Sequence, residues 1–293
     1  MGSEHTLMTA TAAAGTELKL NSVSIRPGRV LVWTLLFIGG VLMITPLLFM
    51  FSTSLKTASQ VYDLRLIPAA PTFDNYIKVL SDGRFVRWFL NSTLVAVCVT
   101  LSNVFFDSLV GYTLAKFQFR GRYLIFIAIL STLMIPTEML VIPWYLMSAQ
   151  LGWIDSYWGI MFPGMMTAFG TFLMKQFFET VPDDFLEAAR VDGLNEFTIW
   201  WKIAMPMVAP AISALAIFTF LGNWTAFFWP LIVTNSRELY TLPVGLSSFA
   251  VEQSIQWEMI MTGAALATIP TLLVFLVLQR YIVRGVMLAG LKG

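Results

Sequence analysis

The chain has 293 residues, of which 57% are hydrophobic and only 12% are charged. Soluble domains carry about 25% charged residues, so this composition excludes an ordinary soluble protein and predicts an all-α integral membrane protein. The net charge of +1 argues against a nucleic-acid partner. The single histidine, His5, excludes a histidine-based metal site, and the single cysteine, Cys98, excludes an intrachain disulfide. Cys98 lies in an apolar run, so we expect it to fill the core.

The segment before the first apolar run is polar. Residues 1–29 are rich in alanine and threonine and end in Arg26 and Arg29. No apolar core precedes a small-residue cleavage site, so we do not expect a cleavable signal peptide here. We predict a flexible cytoplasmic tail.

Six apolar segments follow, each near the roughly 20 residues that a helix needs to span a bilayer. They predict a six-helix transmembrane domain over residues 30–283, followed by a cytoplasmic tail at 284–293. The six segments lie at about 30–51, 89–115, 123–147, 156–178, 207–234 and 259–283.

Glycine and proline interrupt the third, fourth, fifth and sixth segments. Every backbone group freed inside lipid must find a partner within the protein, so the interruptions predict helices that bend, pack closely or line a cavity. The fourth segment is the weakest helix. The interrupting residues are Pro136, Pro143, Gly159, Pro163, Gly164, Gly170, Gly222, Pro230, Gly263 and Pro270.

The first external loop, residues 52–88, is the longest. After Pro68 and Pro71, four apolar residues fall at helical spacing, which predicts a short amphipathic helix at the outer interface. A role in docking an external partner is the alternative. The four residues are Phe73, Tyr76, Ile77 and Leu80.

A few polar side chains lie deep within the spans. A carboxylate at the bilayer centre costs roughly 2.5–3.5 kcal/mol, so it faces protein or water. Asp107 and Glu138 therefore have either a structural partner or a place along a solute pathway. Asn223 and Trp224 suit a passing sugar better, because an amide matches hydroxyls and an indole matches a sugar face. The candidate pathway residues are Asn103, Asp107, Glu138, Asn223 and Trp224.

The stretch from Pro182 to Pro210 combines helix-start signals with a glycine break. Pro182 suits a first helical position, and the two aspartates after it suit the positive end of the helix dipole. Gly193 can adopt the left-handed conformation that ends a helix, and Asn195 can cap a second short helix. The residues alone predict two surface helices.

Basic residues set the orientation of the spans. With a cytoplasmic N-terminus, 12 of the 18 basic residues lie inside, and residues 182–206 lie in the cytoplasm. The twelve are Lys19, Arg26, Arg29, Lys116, Arg120, Arg122, Lys175, Arg190, Lys202, Arg280, Arg284 and Lys292. The six outside are Lys56, Arg65, Lys78, Arg84, Arg87 and Arg237.

The residue identities and spacing in this cytoplasmic stretch resemble a known family motif. Residues 187–189 (E-A-A), Gly193 and residues 203–206 (I-A-M-P) match the spacing of the EAA motif of binding-protein-dependent ABC importers. In that family the motif is a coupling helix that docks on the ATP-hydrolysing subunit. The coupling residues that the resemblance implies are Glu187, Ala188, Ala189, Arg190, Asp192, Gly193 and Pro206.

The resemblance extends over nearly the whole chain. Residues 112–117 (Y-T-L-A-K-F), 229–232 (W-P-L-I) and 240–243 (Y-T-L-P) are similar to the carbohydrate-uptake branch of these importers. Within that branch the chain resembles the smaller permease of the maltose system, and the second permease of an alginate-oligosaccharide importer is the expected relative. The positive outer loop is compatible with an acidic glycan.

The family implies a complex in the bacterial inner membrane. Its expected partners are a second homologous permease, two ATPase subunits, an external solute-binding protein and membrane lipids. The chain has no GxxxxGK[ST] phosphate loop, so it is not predicted to be an enzyme. We expect no catalytic residue and no cofactor here, with ATP and Mg bound by the ATPases. The loop at about 235–258 resembles one that reaches the binding protein, and residues 289–293 resemble a tail that contacts the ATPases.

Other function classes stay open. A permease for another small polar solute, such as glycerol-phosphate, would carry the same motif. An autonomous channel or secondary carrier would favour inverted repeats or an ion site, and an intramembrane hydrolase would need a nucleophile with its base. The sequence shows neither pattern.

Overall fold

The computed structural model describes residues 27–249 and 256–290, and every regular element in those ranges is helical. The chain divides into two units, residues 1–47 and 48–293. The first helices are α1 (Pro27–Ser54), α2 (Asp74–Ser81), α3 (Gly83–Lys116), α4 (Arg122–Thr132), α5 (Val141–Gln150), α6 (Tyr157–Met161) and α7 (Ala168–Glu179). The others are α8 (Asp183–Val191), α9 (Glu196–Ile199), α10 (Met205–Met207), α11 (Ala209–Trp224), α12 (Phe228–Val233), α13 (Leu242–Ser248) and α14 (Trp257–Gly290).

Helix α3 is the centre of the second unit. It packs along α7 and α11, and α11 packs in turn on α14. Its 34 residues contain no proline, and the Asp82 side chain caps its start by accepting a hydrogen bond from Arg84 N. At 1.5 Å per residue the helix is about 51 Å long, enough to cross a membrane with turns to spare.

Three apolar clusters lie along α3. At its C-terminal end, Tyr112 packs with Leu186 and Trp200 of the 182–206 stretch. At its N-terminal end, Trp88 packs with Leu242 and Phe249. Between them, Val95 and Val99 contact the α6 and α12 regions. Each of these three apolar clusters therefore contains residues of α3.

Three described helices are long and apolar enough to cross a membrane: Leu31–Ser54, Gly83–Lys116 and Trp257–Val277. They coincide with the first, second and sixth predicted spans. Two bent helix pairs, Arg122–Thr132 with Thr137–Gln150 and Glu196–Met207 with Ala209–Trp224, would each add one if counted as a single span. The fourth predicted span is a series of short helices between Tyr157 and Glu179.

The predicted breakers act unequally. The third span bends by 93° next to Pro136, whereas Pro143 falls in the first turn of α5, where its missing N–H costs no helical hydrogen bond. Pro163 and Gly164 form a 3-10 turn that separates α6 from α7. Pro270 lies inside the continuous helix α14, which runs on past the predicted span to Gly290.

Two expectations about exposure need correction or refinement. Cys98 is exposed on α3, so the core position predicted for it is wrong. The predicted outer-loop helix exists as α2, yet its buried residues are Asn75 and Val79. The Asn75 amide donates to Ser54 O and Lys56 O and so anchors the helix. Most of the predicted apolar stripe stays exposed.

Candidate functional site

A cavity of about 470 Å³ opens where the interrupted spans meet. This volume is in the range of small-molecule sites, which are mostly apolar and aromatic with a few polar groups. The lining matches that description, and among the described residues it contains no charged side chain. The lining residues are Val95, Thr132, Leu133, Ile135, Thr137, Leu140, Trp144, Ile160, Pro163, Gly164, Met166, Thr167, Ala168, Phe169, Asn223, Ala226, Trp229 and Pro230.

Asn223 brings the only carboxamide to this lining. Its Nδ2 donates to Thr219 O at 2.9 Å, one turn back in α11, which fixes the orientation of the side chain. Its Oδ1 lies 3.3 Å from the position that a Cβ would take at Gly164. A glycine at that point lets α11 approach the α6–α7 link closely and leaves the amide at the cavity wall.

Two tryptophans of the lining were missed by sequence analysis as site residues. The Trp144 and Trp229 rings meet edge to face, with centroids 5.7 Å apart. Trp229 Nε1 donates to Gly159 O at 3.0 Å, so its ring is held in place. Each tryptophan is adjacent to a proline in a short helix: Trp144 follows Pro143, and Trp229 precedes Pro230. That local pattern is the signal by which the sequence could have indicated them.

Asn103 and Asp107 lie behind the cavity wall. Both are fully buried, and neither lines the cavity. Asn103 Nδ2 donates to Gly164 O, and Asp107 Oδ1 accepts from Thr167 N at 3.0 Å. Both side chains hydrogen-bond to the backbone of lining residues and do not face the cavity.

Glu138 and Trp224 take different positions. Glu138 is exposed and lies outside the cavity lining, although its neighbour Thr137 belongs to it. Trp224 is 3% exposed and points toward α14, where its Nε1 donates to Ala267 O at 3.0 Å. Of the five candidate pathway residues, Asn223 alone reaches the cavity.

The 182–206 stretch folds into two short helices joined by a tight turn. Helix α8 ends as predicted at Gly193, whose φ is +82°. Leu194 N donates to Ala189 O and Gly193 N donates to Arg190 O, the hydrogen-bond pattern of a Schellman motif. Asn195 caps α9 as predicted, accepting from Thr198 N at 2.8 Å. Pro182 stands one position before the helix.

Ion pairs connect this stretch to the end of α3. Lys116 Nζ donates to Asp183 Oδ1 and to Val181 O, both at 2.6 Å. Arg190 Nε donates to Glu196 Oε1 at 2.6 Å, and that hydrogen bond lowers the pKa of Glu196. Tyr112 OH lies 3.4 Å from Glu196 Oε2. The two short helices and α3 thus form one connected unit.

Three large apolar side chains of the stretch are exposed. Phe185, Val191 and Phe197 are 57%, 88% and 56% exposed. Of the seven coupling residues that the resemblance implies, Ala189 is buried against the α3 end, which the small side chain permits. The others lie at the surface: Glu187, Ala188, Arg190, Asp192, Gly193 and Pro206.

The opposite end of α3 holds the 234–249 segment. Asn91 Nδ2 donates to Glu238 O at 2.7 Å and to Tyr240 O at 2.9 Å. Asp155 accepts from the backbone N–H groups of Asn235 and Ser236, at 2.8 and 2.9 Å. These hydrogen bonds, with Ser236 N–H first, hold the pKa of the Asp155 carboxyl below its usual range. Residues 250–255 of the predicted binding-protein loop lie outside the described part.

Comparison with known proteins gives this arrangement a family. Residues 107–288 match the family model of the binding-protein-dependent transport system inner membrane component. The chain belongs to this family. The permease is 35% identical over 253 residues to the arabinooligosaccharides transport system permease protein AraQ of Bacillus subtilis, a match covering 85% of this chain and 90% of that one. It is 33% identical over 272 residues to the sn-glycerol-3-phosphate transport system permease protein UgpE of Brucella abortus, covering 89% and 96%.

Solved structures agree with the family. The permease is similar, with a TM-score of 0.77 and 26% identity, to a chain in the crystal structure of a bacterial ABC transporter involved in the import of the acidic polysaccharide alginate. That match covers 86% of the permease and 95% of the other chain. A second alginate transporter structure matches with a TM-score of 0.63 at 12% identity, which shows the fold alone. The resemblance read from the EAA spacing is confirmed at the level of the family.

Proposed function

We propose that this permease forms, together with a second homologous permease, the pathway by which a binding-protein-dependent ABC importer takes up an oligosaccharide. The observation that carries the proposal is the cavity whose lining combines two tryptophans with one carboxamide and no charged side chain. Aromatic faces and an amide suit a polyhydroxylated solute, whereas a lone phosphate would call for cationic or backbone N–H partners. Asn223 is the proposed contact of this chain with the solute.

The relatives support a glycan. The AraQ match is to a permease for arabinooligosaccharides, and the structural match is to a transporter for the acidic polysaccharide alginate. We infer that the external binding protein largely determines whether a charged or a neutral glycan is taken up, because the described residues of the cavity lining carry no charge.

The proposed topology has six spans with both termini in the cytoplasm, over the domain boundaries 30–283. It counts α1, α3, α14, the bent pair of α4 and α5, the interrupted α6–α7 region and the α11–α12 region as one span each. The interrupted region is compatible with a span because non-helical backbone at membrane depth is tolerated where it lines a cavity. The excess of basic residues at the ends assigned to the cytoplasm supports the orientation.

The 182–206 stretch is the proposed coupling loop to two ATPase subunits, which bind ATP and Mg in place of this chain. Its support is the exposed apolar side chains on a polar loop, a pattern typical of interaction sites. The proposed contacts are Glu187, Ala188, Ala189, Arg190, Asp192, Gly193 and Pro206. The 234–249 segment at the other end of α3 is the proposed docking surface for the external binding protein.

Glycerol-phosphate is the second candidate solute, because UgpE matches 89% of the chain. The test uses the purified complex in proteoliposomes with its cognate binding protein. ATP hydrolysis is measured with alginate oligosaccharides, arabinooligosaccharides and sn-glycerol 3-phosphate. We expect an oligosaccharide to stimulate hydrolysis and Trp229→Ala to weaken that stimulation. Stimulation by glycerol 3-phosphate alone would reject the glycan, and purification without any ATPase would favour an autonomous carrier.

A further inference from the structure

One face of α3 carries a row of residues that meets the α6–α7 region. Val99, Asn103, Asp107 and Gly111 are spaced by four residues and so share that face. They contact, in order, Gly164, Thr167, Gly170 and Met174. A Cβ at Gly111 would lie 2.8 Å from Met174 Cβ, so the two backbones approach closely here.

Asp107 and Asn103 converge on one hydroxyl. Thr167 Oγ1 lies 2.9 Å from Asp107 Oδ2 and 3.1 Å from Asn103 Oδ1. The same hydroxyl accepts from Gly170 N at 3.0 Å and caps the start of α7. Asp107 Oδ1 accepts from Thr167 N at 3.0 Å.

The number of protons available in this network indicates the protonation state of Asp107. Thr167 has one hydroxyl proton, yet two oxygens lie within hydrogen-bond distance of it. If Asp107 carries a proton, its Oδ2–H donates to Thr167 Oγ1, and the Thr167 proton goes to Asn103 Oδ1. Asp107 Oδ2, Thr167 Oγ1 and Asn103 Oδ1 then each have a partner. Among the described residues, the groups around the Asp107 carboxyl are neutral: Thr167, Thr171 and Gly170, with Leu215 beside that glycine.

The network ends at the cavity. Gly164 and Thr167 both line it, while Asn103 and Asp107 stand one layer behind them. In the 162–167 link, residues 165–167 belong to no helix. Its backbone is fixed instead by side chains of α3, including Ser102, which donates to Met165 O at 2.6 Å.

We propose that Asp107 is a positioning residue which, as a neutral acid, holds Thr167 and the 162–167 link in place as a wall of the solute cavity. It donates to the Thr167 hydroxyl and accepts from the Thr167 N–H, and it does not meet the solute. This inference rests on the proposed function only in taking the cavity as part of the pathway.

The test measures how accessible the cavity wall beside Thr167 is to a water-soluble reagent. In the assembled transporter, Cys98→Ala removes the single cysteine, and Ala168→Cys places a reporter beside Thr167. Ile135→Cys, on the α4–α5 side of the same cavity, is the matched control reporter. The probe is a water-soluble methanethiosulfonate reagent, and the measured quantity is the labelling rate of each cysteine.

We expect Asp107→Leu to change the labelling rate at Ala168→Cys by about tenfold, the factor that corresponds to a lost buried hydrogen bond, and to leave Ile135→Cys unchanged. Asp107→Asn keeps one acceptor and one donor in the same places, so the labelling rate stays near that of the parent. Thr167→Val is expected to act like Asp107→Leu, and Thr167→Ser like the parent. These threonine variants decide the matter if Asp107→Leu does not fold.

Two results would overturn the proposal. One is an unchanged labelling rate in both Asp107→Leu and Thr167→Val. The other is loss of transport in Asp107→Asn, with a normal labelling rate at Ala168→Cys, which would mean that the charge of Asp107 acts itself. Because labelling requires no solute, a failure of the glycan assignment leaves this comparison intact.

Discussion

The ammonium group of Lys116, in the last turn of α3, lies 2.6 Å from Asp183 Oδ1 in the first turn of α8. The lysine side chain is only 6% exposed, and the same Nζ donates to Val181 O. One side chain therefore connects the longest buried helix to the proposed coupling loop. Asn91 makes the corresponding connection at the other end, where it holds the backbone of the 238–240 segment.

Removing the Lys116 ammonium should weaken communication along α3 more than it weakens the fold. Lys116→Met loses one partly exposed ion pair and one backbone hydrogen bond, which together are worth about 1–2 kcal/mol of unfolding free energy. We expect the complex to assemble, with binding-protein-stimulated ATP hydrolysis reduced relative to the basal rate. Asp184→Asn, an exposed neighbour in the same helical turn, is the control. Full stimulation in Lys116→Met would refute the connection.

A methyl group at Gly170 should disrupt the contact between α3 and α7. The added Cβ would lie 1.9 Å from Asp107 Oδ2 and 2.9 Å from Leu215 Cδ1. Overpacking of this kind costs about 1–3 kcal/mol. Thermal unfolding of the purified complex should therefore begin at a lower temperature in Gly170→Ala. The matched control is Gly222→Ala, where no atom lies within 4 Å of the new Cβ. Equal effects of the two substitutions would show that the α3–α7 contact is looser than described.

At Gly193 the backbone conformation decides which substitutions are tolerated. Its φ of +82° is in the left-handed region, and no neighbouring atom lies within 4 Å of a Cβ there. A β-branched residue is strained by about 1–2 kcal/mol in this conformation, whereas asparagine adopts it more readily. Gly193→Val should insert normally and lose stimulated ATP hydrolysis, and Gly193→Asn should retain more of it. Gly193→Asp is expected to uncouple transport through its charge at the docking surface. Wild-type hydrolysis in Gly193→Val would argue against a coupling role for this turn.

The Asp155 carboxylate should make the anchoring of the 234–236 segment sensitive to acid. Its pKa is lower in the folded protein, first because Ser236 N–H donates to it. The stabilisation is therefore complete above the ordinary carboxyl pKa of about 4 and is lost as the pH falls through the lower folded value. Asp155 has a φ of +56°, which asparagine also tolerates, so Asp155→Asn removes the charge without straining the backbone.

We expect Asp155→Asn to speed proteolysis near residue 236 at pH 7, and we expect the difference from the parent to shrink as the pH falls below about 4. Hydrogen exchange at the Asn235 and Ser236 amides, which the carboxylate accepts from, gives the same comparison without a protease. Identical protection of the two amides in parent and variant at pH 7 would contradict this role.

Local features of the fold could be predicted because their causes are local. Gly193 and Asn195 end one helix and begin the next through hydrogen bonds within five residues, and the spelling of those residues is enough to predict them. The apolar runs identify α1, α3 and α14 for a similar reason, since span length follows from bilayer thickness. The EAA spacing predicted the family, which the relatives confirm.

Which neighbour each side chain contacts could be determined only from the tertiary structure. Asn223 and Trp224 are adjacent in α11, so they point about 100° apart; one reaches the cavity and the other packs on α14. The pattern of an apolar helix buried on several sides does not say which residue faces which neighbour. The same limit explains why Cys98 was expected in the core and is exposed.

The sequence by itself determined that this chain is a helical membrane protein with a two-helix loop, because composition, span length and helix caps are set by neighbouring residues. The spacing of the EAA motif added the resemblance to a permease family. Only the tertiary structure decided which polar groups meet. Asp107 and Thr167 are 60 residues apart, Lys116 and Asp183 are 67 apart, and Asp155 and Ser236 are 81 apart. Such pairs are chosen by the packing of whole helices against one another, and no local pattern encodes that choice.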